Sequence, residues 1–294
     1  MKTLRPAVLA LLILVAPPVV AAPRPPPPPA APPPPTEADW RTPDPQNVLV
    51  IDTNRGRIIV ELSPIATPNH AARVRELTRA GLYNGRAFFR VLDNFMDQTG
   101  DPIDSGAGTS SLPNLKGEMT FRRGTDTPFT SVDRTGGIEQ GFVGSLPVIS
   151  QATDLGLLTA DHKVDAWGAY CAGVLGMARG EDVDSANSQF FLMRTNASAV
   201  DHANHALDKR YTAFGRTLVG QDVIDSIKTG QPVPQPQDRM MTVRVLADIP
   251  QAERPNVRVI DTNGAWFKAQ VAYLRATLGP DFTACSVSLP AEVR

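Results

Sequence analysis

The sequence predicts a mainly β fold, an antiparallel barrel or sandwich and not a doubly wound sheet. Three observations carry this. Short runs rich in Val, Ile and Phe recur between 48 and 247, punctuated by Gly, Asn, Asp and Pro. Helical periodicity is confined to a few stretches. The regular alternation of strand and helix that builds a parallel sheet is missing. With 294 residues, 42% of them hydrophobic, the chain can bury one large core with appendages. Its net charge of −1, with charges interspersed, leaves no basic cluster to neutralise phosphates, so nucleic acid is not an expected partner.

The elements follow in order. Lys2 and Arg5 precede the apolar run AVLALLILVA (7–16), too short to span a bilayer, and small residues follow at Ala21 and Ala22. Residues 1–22 are therefore expected to be an export signal, cleaved after Ala21 or Ala22, leaving no stable membrane insertion. No cysteine precedes Cys171, so a lipid anchor is not expected. The run PRPPPPPAAPPPP (23–35) lacks backbone donors and favours extended polyproline II. Residues 23–46 read as a stiff linker. A single domain is expected over 47–247. NVLVIDTNRGRIIVEL (47–62) reads as two strands about an Asn54-Arg55-Gly56 turn, with Val48, Val50, Ile58 and Val60 alternating. TPNHAARVRELTRAG (67–81) reads as a helix with Thr67 as cap, Pro68 in the first turn and Gly81 as stop. Strand-like runs recur at 86–92, 95–99, 119–122, 170–177, 189–194, 212–218 and 240–247, and a second short helix fits 220–230. Residues 123–169, rich in Gly, Thr, Asp and Pro, read as a long elaborated loop. A C-terminal extension, 248–294, holds one helix at 265–278, with Phe267, Val271, Leu274 and Leu278 as its apolar stripe.

The stretch FFRVLDNFMDQTGD (88–101) places a fixed charge, Arg90, among hydrophobes. Arg90 shares strand parity with Leu92, Met96 with Gln98, and Gln189 with Phe191. One surface then presents Phe95, Met96, Phe191 and Leu207 as a small apolar pocket rimmed by Arg90, Gln98 and Gln189. Phe88 and Phe190, of opposite parity to Phe89 and Phe191, read as ordinary core. No Ser/His/Asp order, G-x-S-x-G motif or metal-ligand cluster accompanies the pocket, so it should bind, orient and polarise, with no cofactor and no metal. DHANHALD (201–208) brings His202 and His205 near Asp201 and Asp208, but without a frame supplying three ligands it reads as a polar loop.

FFRVLDNFMDQTGD, GVLGMAR (173–179), SANSQFF (185–191) and LDKRYTAFG (207–215), in this order, resemble the cyclophilin-type peptidyl-prolyl cis-trans isomerases of the bacterial exported kind. The resemblance covers about 48 to 230. It implies a closed eight-stranded antiparallel barrel capped by two helices, and rotation about X-Pro bonds in exported proline-containing polypeptides, assisting their folding. It implies that Arg90 is catalytic and that Phe95, Met96, Phe191 and Leu207 form the proline pocket. Gln98 and Gln189 would contact the substrate amide, and Ala178 and the backbone of Arg179 would form the edge along which the peptide lies. The sequence departs from the family pattern at Phe89, where many members carry His, at Ala206, where many carry Trp, and at Tyr211, where a pocket His is common. The alternative function is a non-catalytic proline-peptide-binding chaperone or envelope module, against which the charge of Arg90 argues. The protein is expected to be a monomer in the periplasm or secreted. In such a compartment Cys171 and Cys285 are expected to form one disulfide, two free thiols being the alternative.

Overall fold

The computed structural model describes residues 30–198 and 207–294. The expected export signal, the linker prolines before residue 30, and Ala206, His202 and His205 lie outside the described residues. The first elements are β1 (Trp40–Arg41), β2 (Val48–Thr53), β3 (Gly56–Leu62), α1 (Pro68–Arg79), β4 (Arg90–Leu92) and β5 (Met96–Thr99). Next come β6 (Phe121–Arg123), β7 (Phe129–Thr135), β8 (Ile138–Val143), β9 (Leu146–Gln151) and β10 (Val164–Gly168). The chain continues through β11 (Val174–Met177), β12 (Phe190–Met193), β13 (Ala213–Val219) and α2 (Gln221–Ser226). It ends with β14 (Met240–Val245), β15 (Val257–Ile260), α3 (Ala265–Leu278) and β16 (Ala291–Val293).

Eight strands form one curled antiparallel sheet in the order β14-β2-β3-β13-β11-β12-β5-β4. The closed barrel that the sequence led us to expect is a half-barrel: the edge strands β14 and β4 share no ladder. Isolated bridges, Ala87 to Arg239 and Val91 to Gly230, and single backbone hydrogen bonds such as that from the Met240 N–H to the Arg86 carbonyl at 2.9 Å, join the chain beside them without a continuous ladder. The reason is local. Pro232, Pro234 and Pro236 occupy the approach to β14, and proline has no N–H to donate to a ladder. Inside the curl, Leu49, Ile51, Ile58, Val60, Phe88, Phe190 and Phe214 pack with Ala71, Val74 and Leu77 of α1 and with Ile224 beside Ile227. The helix α1 starts at Pro68 as expected, but Thr67 makes no side-chain cap. Its hydroxyl donates instead to the Ser63 carbonyl at 3.2 Å. The second helix stops at Ser226, short of the expected 230, because Ile227 is extended and the Lys228 N–H donates to Asp238 at 2.8 Å.

The stretch read as an elaborated loop, 123–169, holds four strands that join β6, on the expected strand run 119–122, in a five-stranded antiparallel sheet, β6-β10-β9-β8-β7. Its hairpins turn at Gly136-Gly137 and at Gly144, all with positive φ, which glycine adopts without strain. The sheet is buried on two different partners. Val148, Ile149, Ala166 and Trp167 pack on Met96, Phe191 and Met193 on the outside of the half-barrel. Val132 and Phe142 pack on Phe267 and Val271 of α3. Neither face carries a clean alternation in sequence, so the period-2 signal is weak.

The C-terminal segment is more than one helix: β15 pairs with β16 on one side and with β1 on the other. Trp40 and Arg41, read as linker, are thus built into the fold. Arg258 lies 4.3 Å over the Trp40 ring, and Arg41 makes a two-pronged ion pair with Glu61 at 2.7 Å. Val257 and Ile249 cover Val48, Val50 and Ile59 on the outer face of β2 and β3. Both faces of the inner strands are therefore covered, which is why VLVI and FFLM are apolar without interruption. Cys171 and Cys285 are disulfide-bonded, with Cα atoms 5.0 Å apart, and tie this extension to the half-barrel. Among the described residues no helix is long and apolar enough to cross a membrane.

Candidate functional site

The site lies on the outside of the half-barrel, where β4, β5 and β12 run side by side. Arg90 faces Gln98 across the β4–β5 ladder, and Gln98 faces Phe191 across β5–β12. This register puts the guanidinium, the amide and the ring in one row across three strands, because residues opposite one another share a face. Within β12 parity divides the phenylalanines, Phe190 entering the inner core and Phe191 turning outward. Phe88 also enters the inner core although it lies two residues from Arg90, because β4 begins only at Arg90 and the chain before it is not in strand register.

A hollow of about 180 Å³ opens here, lined by Arg90, Phe95, Met96, Gln98, Ala178, Arg179, Phe191, Leu207 and Tyr211. All but one of the residues singled out for the pocket and its rim meet in it. The exception, Gln189, stands just outside. Met96 and Phe191 are buried and make the floor, while Phe95 and Leu207 are half-buried walls. Phe191 is held on two sides. It stacks on Tyr170 at 5.9 Å between ring centres and meets Tyr211 edge to face at 5.7 Å.

The polar rim is a relay of neutral groups ending in one cation. Gln189 Nε2 donates to the carbonyls of Gly106 and Gly108 at 3.1 and 2.8 Å, which orients its oxygen outward. Gln98 Nε2 donates to that oxygen at 3.0 Å, and Arg90 Nη1 donates to Gln98 Oε1 at 3.2 Å. Among the described residues Arg90 makes no ion pair, and its charge faces a hollow whose lining holds no carboxylate. Arg179 lies 4.8 Å over the Tyr211 ring and donates to the Arg210 carbonyl at 2.9–3.0 Å.

A second hollow of about 220 Å³ shares Gln98, Ala178 and Arg179 with the first and is completed by Gly106–Thr109, Gly180, Ser185 and Asn187–Gln189. Sequence reasoning missed the groups that shape it. Asp101, wholly buried, accepts the N–H groups of Ile103, Ser105, Gly106 and Gly108. Burial opposes its ionisation, but these four donors outweigh it and hold the carboxyl below its ordinary range. Asn187 accepts from the Ser110 N–H at 2.8 Å and donates to the Leu112 carbonyl at 2.9 Å. The run TGDPIDSGAG (99–108), an Asp followed by small residues with free N–H groups, was the available signal. A further omission is Gly176, whose Cβ would stand 2.2 Å from Phe191 Cζ. Among the described residues no three His, Cys, Asp or Glu side chains are grouped to hold a metal.

Comparison with known proteins agrees with this geometry. The family model described as cyclophilin type peptidyl-prolyl cis-trans isomerase/CLD matches residues 48–246. A probable peptidyl-prolyl cis-trans isomerase of Brucella suis is 30% identical over 187 residues, 64% of this chain and 74% of the relative. A peptidyl-prolyl cis-trans isomerase of Streptomyces antibioticus is 26% identical over 179 residues, 60% of this chain and 81% of the relative. Among solved structures, the cyclophilin AquaCyp293 from Hirschia baltica superposes with a TM-score of 0.77 at 33% identity, covering 86% of this chain and 93% of that one. The last match extends well beyond 48–246.

Proposed function

Since the chain belongs to the cyclophilin-type peptidyl-prolyl cis-trans isomerases, we propose that Arg90 drives rotation of an X-Pro bond whose proline ring sits on Phe191 and Met96. The observation that carries this reading is the unquenched guanidinium at the lip of an apolar, proline-sized hollow. Rotation about a peptide bond meets a barrier of roughly 18–20 kcal/mol because the nitrogen lone pair is shared with the carbonyl. Proline brings cis and trans within about 1 kcal/mol of each other but leaves exchange slow. Halfway through the rotation the lone pair returns to nitrogen, which becomes a better acceptor. A donor aimed at that nitrogen therefore stabilises the transition state more than either ground state. Arginine suits the task because it stays charged and offers a rigid fork of donors.

The remaining groups hold the substrate. The Phe95, Met96, Phe191 and Leu207 walls fix the ring while the preceding carbonyl swings, and Gln98 steadies that carbonyl. Gln189 keeps Gln98 in place through the amide relay, and the Ala178–Arg179 backbone gives the peptide an edge to lie along. No covalent intermediate is needed, since no bond is made or broken. The clients are exported polypeptides whose folding waits on X-Pro bonds, met by a monomer in the periplasm or outside the cell. The positive start, apolar run and small residues of 1–22 support export, as does a disulfide, which persists in oxidising compartments.

The test is exchange NMR or a protease-coupled assay on an Ala-Pro peptide. Arg90→Ala should lower kcat/KM by an order of magnitude or more, since a contact made only in the transition state is typically worth about 2.7–4 kcal/mol. A folded Arg90→Ala protein with full turnover would sink the assignment. Export is tested by N-terminal sequencing of the protein from the extracytoplasmic fraction.

A further inference from the structure

We infer that Arg179 makes this enzyme selective for an acidic side chain within the two residues preceding the proline, with the second hollow as the receiving site. The inference rests on the assignment of the proline to the first hollow. If Arg90 addresses the proline nitrogen and Gln98 the carbonyl before it, the chain leading up to the proline continues past Gln98. The second hollow lies there, sharing Gln98, Ala178 and Arg179 with the first.

The charge around that hollow is one-sided. Among the described residues no carboxylate lines either hollow. In the adjoining loop Asp184 accepts the Gly117 N–H at 2.9 Å and Asp182 accepts the Asp184 N–H at 2.9 Å, while Glu181 is exposed and lines neither hollow. Asp101, behind the Gly106–Gly108 wall, is enclosed by the backbone donors it accepts from. Arg179 donates to three backbone carbonyls, of Gly180, Glu181 and Arg210, which hold its position without cancelling its charge. The Tyr211 face holds it likewise. Among the described residues Arg179 is thus a placed cation without an ion-pair partner at the junction of the two hollows. The amide and hydroxyl donors of Ser185, Asn187 and Gln189 are given to other oxygens, which leaves the Arg179 guanidinium as the group that would meet a carboxylate. A glutamate reaching the hollow meets a ready cation, whereas a lysine meets repulsion in a part-desolvated space.

The experiment measures kcat/KM by exchange NMR on short blocked peptides carrying Glu, Gln or Lys at the first or second position before an X-Pro bond. A second set carries the same residues after the proline. The wild type should prefer Glu over Lys by roughly three- to tenfold at one of the preceding positions, the scale of a half-exposed ion pair set against its repulsive counterpart. The ratio should fall toward one in Arg179→Gln, and in about 1 M salt, where the screening length shrinks to about 3 Å. Because the ratio is taken within each protein, any general loss of rate in the variant cancels. Turnover of the Gln peptides without a Glu preference, or a preference that survives Arg179→Gln, overturns the inference alone. Absence of turnover on every peptide overturns the proline-site assignment beneath it.

Discussion

Gly176→Ala removes no functional group, yet it should disable the site. Gly176 lies opposite Phe191 on the β11–β12 ladder, and the Phe191 ring occupies the space a side chain would take. An added Cβ would stand 2.2 Å from Phe191 Cζ, 2.6 Å from Cε2 and 2.7 Å from the Tyr170 hydroxyl. Ordinary contact begins at 3.4 Å, so the ring must withdraw by about 1.2 Å. Tyr170 and Tyr211 bracket it, so the open direction is away from β11 and toward β5, across the floor of the hollow where Met96 and Gln98 stand. Overpacking of this kind costs roughly 1–3 kcal/mol of stability. A floor ring displaced by this much misplaces the proline against Arg90, for which a loss of about 10²-fold in rate is reasonable. Urea denaturation and kcat/KM on an Ala-Pro peptide read the two effects separately. Adding Phe191→Leu should return the stability without returning the activity. A Gly176→Ala protein with unchanged unfolding midpoint and unchanged kcat/KM would refute the reasoning.

Asp101 has a depressed folded pKa, so the stability it contributes is present above its unfolded value of about 3.9 and is lost as pH falls through the folded one. Asp101→Asn should cost about 1–3 kcal/mol near neutral pH and flatten the acid limb below about pH 4, which urea titrations at several pH values check. Reduction of Cys171–Cys285, or the double change Cys171→Ser with Cys285→Ser, should lower the melting temperature. The bond closes a loop of 114 residues, for which the chain-entropy model gives about 4–5 kcal/mol. Two reactive thiols in unreduced, denatured protein would contradict it. Phe267, 1% exposed and edge-on to Phe142 at 5.6 Å, anchors α3 to the inserted sheet. Phe267→Ala should cost about 3–5 kcal/mol by chemical denaturation while leaving turnover of the folded protein intact.

Which residues face the site was decided by local rules that the sequence carries openly. Strand parity separates Phe191 from Phe190 within β12, whereas Phe88 enters the inner core despite sharing its parity with Arg90, because it precedes β4. The motifs in chain order brought Arg90, Gln98, Phe191 and Tyr211 to one place, and Pro68 and Gly81 bounded α1. What escaped was set by pairs of elements distant in the chain. The inserted sheet is apolar on patches that match the half-barrel at one end and α3 at the other, so no single periodicity runs along its strands. Trp40 and Arg41 looked like linker because two residues have no strand signal until β15 offers them a partner. The barrel stays open at one edge because prolines take away the donors that a closing ladder would use. Gly176 shows the same division within the site. Sequence marks the glycine, but only the approach of Phe191 from the neighbouring strand shows why a side chain cannot stand there.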